Sequence, residues 1–230
     1  HKVCFACEKE HSFQTKFTAS QQTEWNKLSK LGAKWLELCK PSSERTDNEA
    51  QIEETYQRYL EMAKDPNAKN TFSALIGADI TEGKADRERA TYSLQGFLYY
   101  NQNGLTQEQI RTPVANVLNA LCVKFPALSY SQKMILPCMF LLSLMDEESA
   151  FWTLSHIISN ILPADFCGET EGLQKEQFLL ACLIQEKLGL EKQFMEKNLA
   201  IIETTISTLL STLLVNCVNF EVSCEAWNIM

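Results

Sequence analysis

The sequence predicts an all-α fold, a multi-helix array. Three observations lead there. Apolar residues recur at helical spacing in stretch after stretch from Ser20 onward. No stretch alternates apolar and polar residues convincingly at period two. Glycine (8) and proline (6) are scarce, while Leu, Ala, Glu, Gln and Lys, all good helix formers, are common.

The elements follow in order. Trp25, Leu28, Leu31, Trp35, Leu36 and Cys39 share one helical face, and Pro41 ends that run. "PSSERTDNEA" reads as a solvated loop. Ile52, Tyr56, Tyr59, Leu60 and Ala63 mark a second helix, closed by Pro66. Phe72, Leu75, Ile76 and Ile80 mark a third. After the charged turn "TEGKADRERA", Leu94, Phe97 and Leu98 mark a fourth. Thr106 and Gln109 have capping-box spacing. Thr112 followed by Pro113 reads as an N-cap with proline at the first helical position, with Val114, Val117, Leu118 and Leu121 as the buried stripe behind it.

A very apolar helix is expected over 131–145, kinked or delayed in its start by Pro137. Asp146 is the expected N-cap of the next helix. Glu147 and Glu148 lie in its first turn, where the helix dipole favours negative charge. Its stripe is Phe151, Leu154, Ile157, Ile158 and Ile161, stopped at Pro163. Further helices are expected at about 171–188, 191–200 and 201–216, and 220–230 opens another.

Composition narrows the function. The chain has 230 residues, 45% of them hydrophobic and 22% charged, the balance of a packed domain and not of a disordered one. Its net charge of −8 and pI of about 5.0 come with no basic stripe, which argues against a nucleic-acid partner. The most apolar run, 134–145, is too short for a transmembrane segment. Nine cysteines, most of them single on apolar helical faces, read as small buried hydrophobes in a reducing, cytoplasmic setting. The sequence begins at His1 and ends in "CEAWNIM", so a piece of a longer polypeptide, incomplete at its C-terminal end, is expected.

Four segments, in order, carry a resemblance. They are "FSALIGADITEG" (72–83), "ALSYSQKMILPCMFLLSLMDEESAFWTL" (127–154), "GLQKEQFLLACLIQEKLGLEKQF" (172–194) and "ISTLLSTLLVNCVNFEVSCEAWNIM" (206–230). Together they resemble the TBC domain, the all-helical module of Rab GTPase-activating proteins, over about residues 25–230. The resemblance implies a TBC-like helical domain over 20–230 and a Rab-type small GTPase as partner. It also implies two catalytic fingers. One is an arginine from an Ile-x-x-Asp-x-x-Arg segment. The other is a glutamine from a Tyr-x-Gln-Gly segment, which orients the attacking water.

Ile76 and Asp79 match the first segment, but the arginine position holds Glu82. A carboxylate has the wrong sign for phosphate and lacks the guanidinium's forked donors. Tyr130 and Gln132 match the second segment, but the family's glycine is Lys133, whose side chain is expected to hinder the close approach glycine allows. The bland reading of Gln132 is a residue that hydrogen-bonds its own helix start.

The resulting expectation is a catalytically degenerate member. It is not an enzyme but a protein-binding or scaffold domain, using Tyr130, Gln132 and Lys133 to hold a GTPase or a neighbouring subunit of a larger assembly. The alternative is an active GTPase activator with a displaced arginine, Arg87 or Arg89. A cytoskeletal or ciliary placement accompanies the scaffold reading. Residues 1–19 read as a linker or as the tail of an upstream zinc-finger-like module. Cys4 and Cys7 have the C-x₂-C spacing of a zinc knuckle and His11 is a third candidate ligand, although two surface cysteines explain the spacing as well. No cofactor is expected in the helical domain. His156 is expected to be a packed or half-exposed helix residue.

Overall fold

The computed structural model describes residues 30–39, 55–65, 72–82, 107–128, 130–162, 171–215 and 217–229, with backbone alone at 81, 82, 107–110, 171 and 172. The expected zinc ligands Cys4, Cys7 and His11, the linker 1–19, Arg87, Arg89 and the Leu94–Leu98 helix lie outside these residues.

Among the described residues the chain is helical and has no strand. Helix α1 occupies 30–39. It is followed by α2 (Tyr56–Lys64), α3 (Ser73–Glu82), α4 (Gln107–Lys124), α5 (Ile135–Leu144), α6 (Glu147–His156), α7 (Glu171–Leu188), α8 (Lys192–Ser211) and α9 (Phe220–Ile229). No helix among the described residues is long and apolar enough to cross a membrane.

α5 is the central element. Every residue from Leu136 to Leu144 is buried, as expected of a helix that is apolar all round. Pro137 delays its start, one of the two outcomes its position allows. A 3₁₀ turn, Gln132–Met134, precedes the α-helix, and Pro137 falls in the first α turn, where its missing N–H has no partner to lose. Asp146 caps α6 as expected: Oδ1 accepts from the Ser149 N–H at 3.0 Å, and Oδ2 accepts from Ser149 Oγ at 2.8 Å.

α4 and α6 pack beside α5, and α2 crosses both α4 and α6. Phe151, fully buried, stacks its ring against Tyr56 (4.9 Å between centroids), Tyr59 (5.6 Å) and Trp152 (4.9 Å). Glu147 ties the three helices together: its Oε1 accepts from Tyr56 Oη at 2.6 Å and from Asn116 Nδ2 at 3.0 Å. Lys124, at the end of α4, lies over the rings of Tyr59 and Trp152, 5.1 Å from each centroid.

The two ends of the described chain meet on the other side of α5. Trp35 of α1 and Trp227 of α9 lie 5.7 Å apart, and Phe140 of α5 is 6.1 Å from Trp35 and 4.8 Å from Trp227. Gly32 makes this approach possible, since a Cβ there would sit 2.9 Å from the Leu144 carbonyl oxygen. Trp227 Nε1 donates to the Leu213 carbonyl at 2.8 Å.

Several expectations change. α4 does not begin at Thr112–Pro113: it starts at Gln107, behind Thr106, and runs through Pro113. The proline's fixed φ suits a helix, and its cost there is one missing intrahelical bond. The two helices expected at 191–200 and 201–216 are one, Lys192–Ser211, because no Gly or Pro separates them. Ile161 leaves the buried stripe: residues Ile157–Ile161 form a π-helical turn, whose wider winding turns Ile161 to solvent. Leu75 is likewise exposed, while its neighbour Ile76 is fully buried.

Candidate functional site

The site grows from two short segments that are far apart in sequence. On α3, Ile76, Asp79 and Glu82 follow one another at three-residue steps along one face. Ile76 is fully buried and anchors that face, as α3 packs on α4. Asp79 is half-buried one turn on, and Glu82 closes the helix.

The second segment enters α5. Tyr130 precedes the 3₁₀ turn and is buried, its ring 6.2 Å from that of Phe72. Its hydroxyl donates to Asp79 Oδ2 at 3.0 Å. One hydrogen bond therefore joins the Asp79 segment to the Gln132 segment across 51 positions of sequence. Burial, then the Asp79 charge and hydrogen bond, hold the Tyr130 hydroxyl well above its ordinary pKa, so it remains a donor.

Ser131 is the N-cap of the turn, with extended backbone (φ −128°, ψ 137°), and its Oγ accepts from the Lys133 N–H at 3.4 Å. Gln132 comes next. Its carbonyl accepts from Ile135 N–H, so its backbone is fixed. Its side chain is half-exposed and hydrogen-bonds none of the described residues. Ser131, and not Gln132, therefore makes the cap. Lys133 is exposed beside it.

The structure thus brings Asp79, Tyr130 and Gln132 into one lip, with Lys133 on its open edge. Chemically the lip presents a carboxamide that no described residue engages, on a hydrogen-bonded backbone turn. Sequence reasoning missed Glu147 as a hub, having read it only as a helix-dipole residue. Its partners Tyr56 and Asn116 lie 91 and 31 positions away, a separation that no local pattern reveals.

Other candidates do not gather. His156 is half-exposed, and its Nδ1 meets Asn160 Nδ2 at 3.1 Å. Cys122, Cys138 and Cys224 are buried, as expected, but Cys182 and Cys217 are exposed. Burial pushes the Cys122 thiol up to about 11. Among the described residues no three His, Cys, Asp or Glu side chains converge as metal ligands.

Comparison with known proteins identifies the family and not the individual site residues. The family model of the Rab-GTPase-TBC domain matches residues 35–230. Small G protein signaling modulator 3 of Homo sapiens is 31% identical over 115 residues, 49% of this chain and 15% of that protein. TBC1 domain family member 2A is 40% identical over 74 residues in Homo sapiens and 42% in Mus musculus, each match covering 31% of this chain and 8% of that protein. The chain therefore spans only a small part of these relatives' lengths. No solved structure matches.

The expectation that the chain is not an enzyme is overturned by the family match, because TBC domains typically act as activators of Rab GTPases. That expectation rested on two positions, Glu82 where the family has arginine and Lys133 where it has glycine. A changed residue at one finger position leaves the other parts of the lip, Asp79, Tyr130 and Gln132, in place.

Proposed function

We propose, because this chain belongs to the Rab-GTPase-TBC family, that it accelerates GTP hydrolysis by a Rab-type GTPase. Gln132 orients the attacking water, and a cation from a position other than 82 meets the phosphoryl charge. The observation that carries this reading is the state of Gln132. Its backbone is clamped by the Ser131-capped turn and, through Tyr130, by Asp79, while no described residue hydrogen-bonds its carboxamide. Preorganised groups of this kind act by positioning, with no reorganisation at the moment of reaction.

The cation is the part that Glu82 cannot supply. Charge accumulates on the bridging and γ-phosphoryl oxygens, and an arginine provided in trans typically contributes about 10³–10⁵ in rate. Arg87 and Arg89 follow closely after Glu82 in sequence and are candidates for that arginine.

The reading is tested with Rab-type GTPases loaded with GDP and aluminium fluoride, a mimic of the transferring phosphoryl group. The wild-type chain is expected to form a stable complex with at least one of them, and Gln132→Ala to lose it. Equal binding to the GDP form and the fluoride form, unaffected by Gln132→Ala, would leave a plain protein-binding domain.

A further inference from the structure

An activator of GTP hydrolysis has to bring positive charge to the γ-phosphoryl group. The lip segments 76–82 and 130–134 contain two carboxylates, Asp79 and Glu82, and one cation, Lys133. The Asp79 carboxylate is engaged by Tyr130 at 3.0 Å. Lys133 is exposed, follows Gln132 directly, and its backbone is held by the Ser131 cap. Its ammonium makes no hydrogen bond or ion pair with any described residue. Lys124 shows the contrasting arrangement, a lysine spent on its own fold: its ammonium lies over the rings of Tyr59, Phe125 and Trp152.

We infer that Lys133 is the catalytic cation of this domain, the ammonium that meets the γ-phosphoryl charge beside the water-orienting carboxamide of Gln132. The inference rests on the proposed GTPase-activating function. Water oxygen forms the new bond to the γ-phosphorus as the bond to the β–γ bridging oxygen breaks. GDP leaves with the electron pair, and the water's proton ends on inorganic phosphate. Lys133 forms no covalent bond; it lowers the cost of charge on the equatorial and leaving oxygens.

An ammonium binds phosphate as a point charge, without the guanidinium's paired donors. Its contribution is therefore expected at or below the lower bound of the arginine range, about 100- to 1000-fold. Because it sits on an exposed edge, the gain falls as salt is raised.

The test is single-turnover phosphate release from a panel of GTP-loaded Rab-type GTPases. Wild type is compared with Lys133→Met, Lys133→Arg, Arg87→Ala, Arg89→Ala and, as a charge-removal control on exposed α8, Lys192→Met. Lys133 is a surface residue, and far-UV circular dichroism confirms that each variant is folded. The expected result is stimulation by wild type and a loss of about 100-fold in maximal rate for Lys133→Met. Lys133→Arg equals or exceeds wild type, and Lys192→Met is unchanged. Stimulation that survives Lys133→Met within about threefold, or is lost in Arg87→Ala or Arg89→Ala and not in Lys133→Met, overturns the assignment and leaves the GTPase-activating reading standing. Absence of stimulation by wild type on every GTPase overturns both.

Discussion

The α4–α5–α6 layer and the α7–α8 hairpin are both helical and both rich in Leu and Phe, yet they use those residues differently. In the layer, α5 is buried from Leu136 to Leu144, and Phe151 of α6 is enclosed by three aromatic rings. In the hairpin, α7 and α8 pack chiefly on each other. Met195 and Ile206 are buried there, but Phe178 and Ile201 are each 69% exposed. An apolar residue thus contributes to stability only as far as neighbouring elements enclose it, whatever its own hydrophobicity. The layer is also where the lip is rooted, since Tyr130 and Gln132 lead directly into α5.

The largest test of that contrast is a matched pair of truncations. Phe151→Ala removes a fully enclosed ring and is expected to cost about 3–5 kcal/mol. Phe178→Ala removes a ring already mostly in water and is expected to change stability by no more than about 0.5 kcal/mol. Urea unfolding of the two variants measures the difference, and similar losses would break the comparison.

A smaller effect concerns the buried hydroxyls of the layer. Burial, reinforced by Glu147 for Tyr56 and by Asp79 for Tyr130, raises both tyrosine pKa values above the ordinary tyrosine value of 10.0. A raised folded-state value means that stability is fully present below about pH 10 and falls as the unfolded chain ionises above it. Alkaline unfolding is therefore expected to be steeper in wild type than in Tyr130→Phe. At neutral pH that variant loses about 1 kcal/mol, because the half-buried Asp79 carboxylate loses its donor. Identical alkaline slopes would show that the hydroxyl is not held by Asp79.

The smallest effect lies where the hairpin joins α9. Leu213 and Leu214 have φ of 51° and 66°, a left-handed conformation that costs a non-glycine residue about 1–2 kcal/mol. Leu214→Gly relieves that strain while losing a half-buried side chain. The net change is expected to stay within about 1 kcal/mol, well short of an ordinary core leucine truncation. A loss above about 2 kcal/mol would mean that the side chain outweighs the strain.

The sequence made the layer legible and the hairpin less so. The stripes of α2 and α4, the all-apolar run of α5 and the Asp146 cap were readable because each depends on residues within one or two turns. Pro137 was readable as a disturbance and resolved as a delayed start. The helix Lys192–Ser211 reads as two from sequence because exposed Leu199, Ile201, Thr204 and Thr205 blur the period. The exposure of Ile161 follows from a π-helical turn that no residue announces. For the lip, Asp79 and Tyr130 were found through family resemblance, since a contact across 51 positions leaves no periodic trace. The role of Ser131 as the cap, with no described residue engaging the Gln132 carboxamide, needed the folded structure. So did the engagement of Glu147 by Tyr56 and Asn116.

The central claim is that the carboxamide of Gln132, on its clamped turn, serves GTP hydrolysis. The most direct measurement is the rate of phosphate release from GTP-loaded Rab-type GTPases with wild type and with Gln132→Ala. The account requires at least one GTPase that wild type accelerates well above its intrinsic rate, and a loss of most of that acceleration in Gln132→Ala. Intrinsic rates across the whole panel, or acceleration that Gln132→Ala leaves intact, would contradict it.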